Sequence, residues 1–535
     1  MTIQKNRLGI LVLVIIFGFL LRTPYFVHTL QDIDESVYAA NAVTLMDGGR
    51  PYIDAMADNK PPGIFYIYYA IFLVFGKYNM LAVHLTTFLC TLATALTLGA
   101  LARRMNGNIA ALLTIAFYLT FTAALYPKML AANTEIFMAL PYALAVFLLY
   151  RAEETGIGYW YFFSGIVAGL VPLINQVGGI EIAAVLLYFL LMSLAPSTHG
   201  KGNRSCYLKF GTIFAVGFIL PIAITGFLFY RHDTLQDAVF WTILYPLNYI
   251  NQSSANLNFL SQLLIEFAPF VLSMPLVWIT CILWTKNAVV NYKAAASSFS
   301  IFLTIWLITS IVATLVGKRM YGHYFIQILP PLCVTSALGA SRFFTVKSDR
   351  FNKYWRIAIV TLTILPGIVF TSMALSFEAA TDTWGELNPD FLPATEYIKM
   401  HTDPMDRIFV WGWFPPVYVY SERSPATRFV NTTMFVQYRQ GNDPNEADRS
   451  DITWATVPAA WSMLKTDLER NHPKLIIDTS PGDYHDFGRY PLRDYSILRE
   501  YVDANCHLEN SIVGMDIYRC ENDNLKTTVA GAYLQ

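Results

Sequence analysis

Three stretches of this sequence collect residues fit for ionic chemistry. The first, His28–Pro62, is rich in carboxylates: Asp32, Asp34, Glu35, Asp47, Asp54 and Asp58. Within it, DESVYAANAVTLM places Tyr38, Ala42, Leu45 and Met46 at helical spacing, with Asp34 positioned as N-cap. This pattern predicts an amphipathic helix on a membrane surface, with acid groups in its first turn. The stretch ends in DNKPPG, where two prolines fix an extended turn and Lys60 stands at the edge of an apolar segment. The second stretch, YPKMLAANTEIF, supplies Lys128, Asn133, Thr134 and Glu135. The third, VGKRMYGHYFIQILPP, supplies Lys318, Arg319, Tyr321, His323 and Tyr324. Acids and cations gathered at one surface are the residue types that take protons and hold phosphates. A lipid phosphate would compensate the Lys318–Arg319 pair, with interfacial snorkelling as the alternative. For the acidic stretch the alternative is a solvated loop with a capped helix. Glu181 follows NQVGGI inside an apolar block, where a carboxylate is costly. A functional role and a structural hydrogen bond to a neighbouring span are both open for it.

The elements that must position these residues are mostly membrane helices. Of 535 residues, 55% are hydrophobic and 14% charged, with mean hydropathy +0.41; soluble domains carry about 25% charged residues. Apolar blocks of roughly span length lie near 8–27, 81–102, 108–126, 133–150, 158–174, 178–195, 210–230, 267–285, 296–316, 324–341 and 356–376. The block at 63–76 is shorter and suits an in-plane or re-entrant helix. With the N-terminus inside and 63–76 not crossing, Arg103, Arg104, Arg151, Lys201, Arg204 and Lys209 fall on the inner side, as the positive-inside rule asks. About eleven crossings then place the three polar stretches and the charged residues 378–535 outside. No cleavable signal peptide is expected, because the first apolar run is long and lacks a cleavage site. The net charge of −1 gives no reason to expect a nucleic-acid partner. The C-terminal segment reads as a soluble α/β domain: helices near 392–402, 455–470 and 492–503 alternate with strands at Arg407–Trp411 and Lys474–Ser480, ending in a hairpin. This predicts a small, mostly parallel sheet. Cys506 and Cys520 flank the hairpin, and an oxidising compartment would allow them to pair.

At DESVY (Asp34, Glu35, Tyr38), at Lys60-Pro61-Pro62, at Glu135 of ANTE and at Tyr321–Tyr324 followed by Leu329–Pro331, the sequence resembles the GT-C superfamily of integral-membrane glycosyltransferases. The group it resembles comprises bacterial relatives of protein O-mannosyltransferases and of the lipid A aminoarabinose transferase (families 39 and 83). The resemblance covers roughly residues 8–375. It implies a GT-C membrane domain at 1–377 and an extracytoplasmic α/β domain at 378–535, in the inner or plasma membrane. It implies transfer of a sugar from a polyprenyl-phosphate-linked donor to an acceptor hydroxyl of an envelope glycolipid, polymer or protein. It further implies Asp34 as general base, with Glu35 and Glu135 beside it, and inversion at the anomeric carbon. Lys60, Lys318, Arg319, Tyr321 and His323 would hold the donor phosphate. No cofactor is expected; some distant relatives with acidic outer loops use a divalent cation, but the nearer ones generally do not. The competing class is a multi-span transporter or flippase, which the buried Glu181 would fit. Against it, no internal repeat is visible. A third class, a non-catalytic scaffold, leaves the acidic loop unexplained.

Overall fold

The computed structural model describes residues 2–123, 129–194, 204–247, 264, 267–290, 298–316, 321–345, 350–375, 389–436 and 457–521. In chain order the longer helices are α1 (Thr2–Leu20), α2 (Ile33–Met46), α3 (Pro62–Phe75), α4 (Met80–Phe121), α5 (Thr134–Thr155), α6 (Gly158–Ile174), α7 (Gly178–Leu194) and α8 (Arg204–Arg231). They continue with α9 (Pro275–Val290), α10 (Ser298–Val316), α11 (Leu329–Ala340) and α12 (Arg350–Leu375). The C-terminal segment holds α13 (Leu392–Met400), β1 (Arg407–Trp411), α14 (Pro416–Ser421), β2 (Ser424–Pro425), α15 (Pro458–Asn471), β3 (Leu475–Asp478), α16 (Ser496–Asn505), β4 (Cys506–Ile512) and β5 (Met515–Cys520).

By packing, the chain forms two compact units. One contains residues 1–31, 80–232 and 253–383; the other contains 32–79, 233–252 and 384–535. Composition divides the chain near residue 377, whereas packing groups residues 32–79 with the C-terminal segment.

The first unit is a helical bundle holding all eleven predicted apolar blocks. Among the described residues, six helices are long and apolar enough to cross a membrane. Asn106 and Gly107 break α4, with Gly107 at φ +81°, where a glycine avoids Cβ strain. The two segments this creates match the blocks predicted at 81–102 and 108–126. Outward faces keep apolar side chains exposed, including Val216, Ile219 and Leu228 on α8. Where α6 meets α8, the helices pack through glycine. A Cβ on Gly165 would lie 2.1 Å from the Phe214 carbonyl oxygen, and one on Gly169 would lie 2.3 Å from that of Phe218. Small residues four apart allow such close approach between membrane helices. Near the end of α1, Arg22 is buried and donates to the carbonyls of Gly18 (3.1 Å) and Leu119 (2.5 Å) and to Thr122 Oγ1 (2.7 Å). It thus bonds one carbonyl in the last turn of α1 and one in the last turn of α4, where intrahelical donors run out.

The second unit is built on a five-stranded sheet in the order β2-β1-β3-β5-β4. The expected mostly parallel sheet is in fact mixed: β1 pairs in parallel with β2 and β3, while β3–β5 and β4–β5 are antiparallel. The terminal hairpin accounts for this, because its tight turn at Val513 and Gly514, both at positive φ, forces β4 and β5 to run antiparallel. The central strands are nearly continuous apolar runs because both faces are covered. Cys506 and Cys520 are paired in register on β4 and β5 and form a disulfide. The core contains Ile408, Val410, Leu475, Ile477, Met515 and Ile517, and also Ala40 of α2. The fourteen-residue α3 belongs to this unit, packed on α2, and is too short for a full crossing.

Candidate functional site

The acid pair sits on α2. This helix is not the half-solvated amphipathic element that its spacing predicts; nearly every residue of it is buried. The small side chains of Ser36, Ala39 and Ala40 form a further buried face, and Ala40 reaches the core of the C-terminal sheet. Tyr38 packs edge-on against Phe65 (5.9 Å) and Tyr68 (5.7 Å) of α3. The N-cap is Asp32, not Asp34: its carboxylate accepts from the Asp34 backbone N–H at 3.4 Å, and Asp34 and Glu35 occupy the first turn. Both aspartates suit a cap by type, and the chain entering at an extended Asp32 decides between them. Glu35 is fully buried, whereas Asp34 keeps partial exposure. Of the two, Asp34 is the acid with surface open to its surroundings.

The segment joining α2 to α3 is folded. Asp47 ion-pairs with Lys77 and accepts from Ser424 Oγ at 2.6 Å. Asp54 pairs with Arg50 and with Arg470 of α15, each at 2.9 Å. Burial pushes the Asp54 carboxyl up, but hydrogen bonds from Arg50 and the Arg470 charge outweigh it and hold it below the usual range. Tyr78 donates to the Arg423 carbonyl at 2.8 Å. Asn41 accepts from the Met56 N–H, which fixes the loop across the middle of α2. The buried Tyr52 donates to the Lys60 carbonyl at 3.2 Å, so the lysine leaves an anchored backbone just before α3. Asp58, two residues earlier, is pushed up by burial, and the nearby Lys60 charge partly opposes this.

Glu135, Tyr321 and His323 belong to the helical bundle. Glu135 is buried in the first turn of α5. Its two oxygens accept from Asn175 Nδ2 (2.9 Å) and Thr134 Oγ1 (3.0 Å), and Asn175 also donates to Thr134 Oγ1 (2.9 Å). Asn175, the C-cap of α6, carried no sequence signal beyond its place in NQVGGI. Tyr321 opens a 3₁₀ turn, Gly322–Ile328, that leads into α11 and packs against α5. The Tyr321 and His323 rings stack at 6.0 Å, and His323 meets Tyr324 edge-on at 4.7 Å. His323 is buried and Tyr321 partly exposed. Lys318, Arg319 and Lys128 lie outside the described residues. Glu181 is tied into the bundle: its Oε2 accepts from Trp306 Nε1 (3.3 Å) and Ser310 Oγ (3.1 Å) of α10, and its backbone carbonyl accepts from Tyr142 (2.6 Å). Those bonds match the structural of its two readings.

A family model described as dolichyl-phosphate-mannose-protein mannosyltransferase matches residues 59–232. The crystal structure of ArnT from Cupriavidus metallidurans bound to undecaprenyl phosphate aligns with TM-score 0.57 at 15% identity, over 94% of this chain and 97% of that one. The oligosaccharyltransferase of Archaeoglobus fulgidus, tethered to an acceptor peptide, aligns with TM-score 0.56 at 13% identity, over 97% of this chain and 74% of that one. The fold is that of the GT-C glycosyltransferases. The same archaeal enzyme, AglB, in complex with an inhibitory peptide and a dolichol-phosphate, aligns at TM-score 0.51 and 12% identity, over 97% of this chain and 74% of that one. No protein of curated function matches the sequence. Within the GT-C fold of this chain, Asp34, Glu35 and Lys60 are carried by the sheet-based unit, and Glu135, Tyr321 and His323 by the bundle.

Proposed function

We propose that this protein transfers a glycosyl group from a polyprenyl-phosphate-linked donor to an acceptor hydroxyl at the outer face of the membrane. The observation that carries this reading is an acid pair held in the first turn of a buried, capped helix, in the same unit that anchors Lys60 at the head of an apolar helix. The lipid phosphates bound by ArnT and by the archaeal transferase, and the description of the matching family, support the donor class.

A hydroxyl is a weak nucleophile and needs a base as it attacks the anomeric carbon. Asp34 takes the hydroxyl proton while the new C–O bond forms and the anomeric carbon–phosphate oxygen bond breaks. The phosphate departs as a stable anion, so no acid needs to protonate it. Lys60, Lys318, Arg319 and His323, with the Tyr321 hydroxyl, stabilise its developing charge. The step draws on these side-chain cations. A single displacement inverts the anomeric centre. Glu35, fully buried in the same helical turn, orients Asp34 or the acceptor; Glu135, clasped by Thr134 and Asn175, shapes the bundle side. The C-terminal domain lies outside the cytoplasm in this reading.

The test is mass spectrometry of envelope glycolipids and polymers from cells with the gene, without it, and with Asp34→Asn. A glycan modification present only with the wild-type gene supports the proposal. Envelope profiles that are identical in all three strains refute it. Asp34→Asn should lower transfer by about 10²-fold or more, the usual scale for loss of a general base.

A further inference from the structure

The sheet-based unit contains a second polar feature, away from the acid pair. It is a cleft of about 170 Å³ between the C-terminal end of α2 and the edge of the sheet, lined among others by Asp47, Asp54, Arg407, Thr427, Arg470 and Asn471. Sites for drug-sized ligands run from roughly 300 to 1,000 Å³, so this cleft has room for one ring or headgroup. Its walls are fixed by ion pairs. Asp54 holds Arg50 and Arg470, and Asp467 holds Arg470 and Arg428, while Asp47 holds Lys77. Arg407 differs: among the described residues its guanidinium has neither an ion pair nor a hydrogen bond, although it lines the cleft and is half-buried. The charges tied into this region are therefore five cations against three carboxylates, and the surplus includes an uncommitted guanidinium.

We propose that this cleft is an anchoring subsite for an anionic, hydroxyl-bearing sugar unit of the acceptor. A guanidinium fork matches a carboxylate or phosphate in a bidentate fashion. The flanking carboxylates and the Asn471 amide oxygen supply acceptors for ring hydroxyls. The cleft is not where the reacting hydroxyl sits. Asp34 and Asp47 stand at opposite ends of α2, and at 1.5 Å rise per residue they are about 20 Å apart. The subsite thus holds a remote part of an extended glycan or glycolipid acceptor. This inference rests on the glycosyl-transfer reading for its biological role, but the binding itself does not need turnover.

Isothermal titration of the purified full chain in detergent, with galacturonate, glucose 1-phosphate and glucose as probes, tests it. At least one anionic probe should bind more tightly than glucose. Galacturonate alone binding assigns a carboxylate, glucose 1-phosphate alone a phosphate, and either outcome sustains the proposal. Arg407→Ala should weaken that binding by about tenfold or more, the scale of losing a charged hydrogen-bond partner. Arg407→Lys, which keeps the charge without the fork, should recover part of the loss at an unchanged unfolding midpoint. In transfer assays Arg407→Ala should raise KM for long anionic acceptors and leave kcat unchanged, because the interaction is equal in ground and transition states. No binding of either anionic probe, or glucose binding as tightly as both, overturns the subsite. Intact probe binding in a protein without transferase activity would refute only the glycosyl-transfer reading.

Discussion

Ala40→Leu tests the link between the C-terminal sheet and the acid pair. Ala40 has no exposed surface and shares a core with Ile408, Val410, Leu475 and Ile517. Replacing its methyl by an isobutyl group in a filled core costs about 1–3 kcal/mol, as overpacking generally does. For a domain of some 150–250 residues, each kcal/mol moves the unfolding midpoint by about 2–4 °C. The strain is relieved most readily by displacing α2, since the sheet is held by strand pairing. Asp34 lies six residues earlier on the same helix, about 9 Å along its axis, so displacement of α2 carries Asp34 with it. A misplacement of about 1 Å at a reacting group costs on the order of 10² in rate. The expected outcome is a lower unfolding midpoint together with a fall in kcat that approaches the Asp34→Asn value, at near-constant donor KM. The assays are thermal unfolding in detergent and transfer at saturating donor. Lower stability with an unchanged kcat would show that α2 does not carry the reacting acid. Unchanged stability would show that Ala40 is not part of that core.

Three further outcomes follow from particular contacts. Replacing both Cys506 and Cys520 by serine opens a loop with a sequence separation of 14 and should cost at most about 3 kcal/mol on the chain-entropy account, read by denaturant unfolding with and without reductant. Gly165→Ala should destabilise the bundle by about 1–3 kcal/mol, because its Cβ would lie 2.1 Å from a backbone carbonyl; an unchanged midpoint would refute the close α6–α8 packing. Asp54→Asn should lower stability at neutral pH. The folded carboxyl is depressed below 3.8, so its contribution is present above that value and fades as pH falls through the folded pKa. The gap between wild type and variant should therefore close in acid, and a gap that widened there would contradict the assignment.

Much of the fold is legible in the residues because hydropathy and length are strong signals. The described residues of the eleven apolar blocks are largely helical, and the short block at 63–76 is the short helix α3. The strands Arg407–Trp411 and Leu475–Asp478 and the cysteine-flanked hairpin lie where alternation and turn residues put them. The glycine spacing at Gly165 and Gly169 was also present in the sequence and marks a close helix contact, yet hydropathy alone passes over it. The surroundings of α2 were not legible. Tyr38, Ala42, Leu45 and Met46 define one apolar face, but alanine and serine are ambivalent about burial. Nothing local reveals that the opposite face of small residues meets strands more than 360 positions later. The cap at Asp32 was hidden for a related reason, since two aspartates two apart satisfy the same rule. For the site, the sequence brings the right residue types into view, and burial then separates the two acids, leaving Asp34 accessible and Glu35 enclosed.

The grouping of residues 32–79 with the C-terminal segment changes what that segment is for. A polar loop of this length, fixed only at its two ends, would lose its reacting geometry to conformational entropy, which amounts to roughly 1–2 kcal/mol per ordered residue. General-base catalysis needs the opposite, a carboxylate held close to its productive position by rigid elements. Here the order is supplied by a covered sheet, by the Asp47–Ser424 and Tyr78–Arg423 bonds and by the Asp54–Arg470 pair, all of which join the loop to residues beyond 384. Read this way, the C-terminal domain is the scaffold of the acid loop, and its removal should abolish transfer even though none of the proposed reacting groups lies within it.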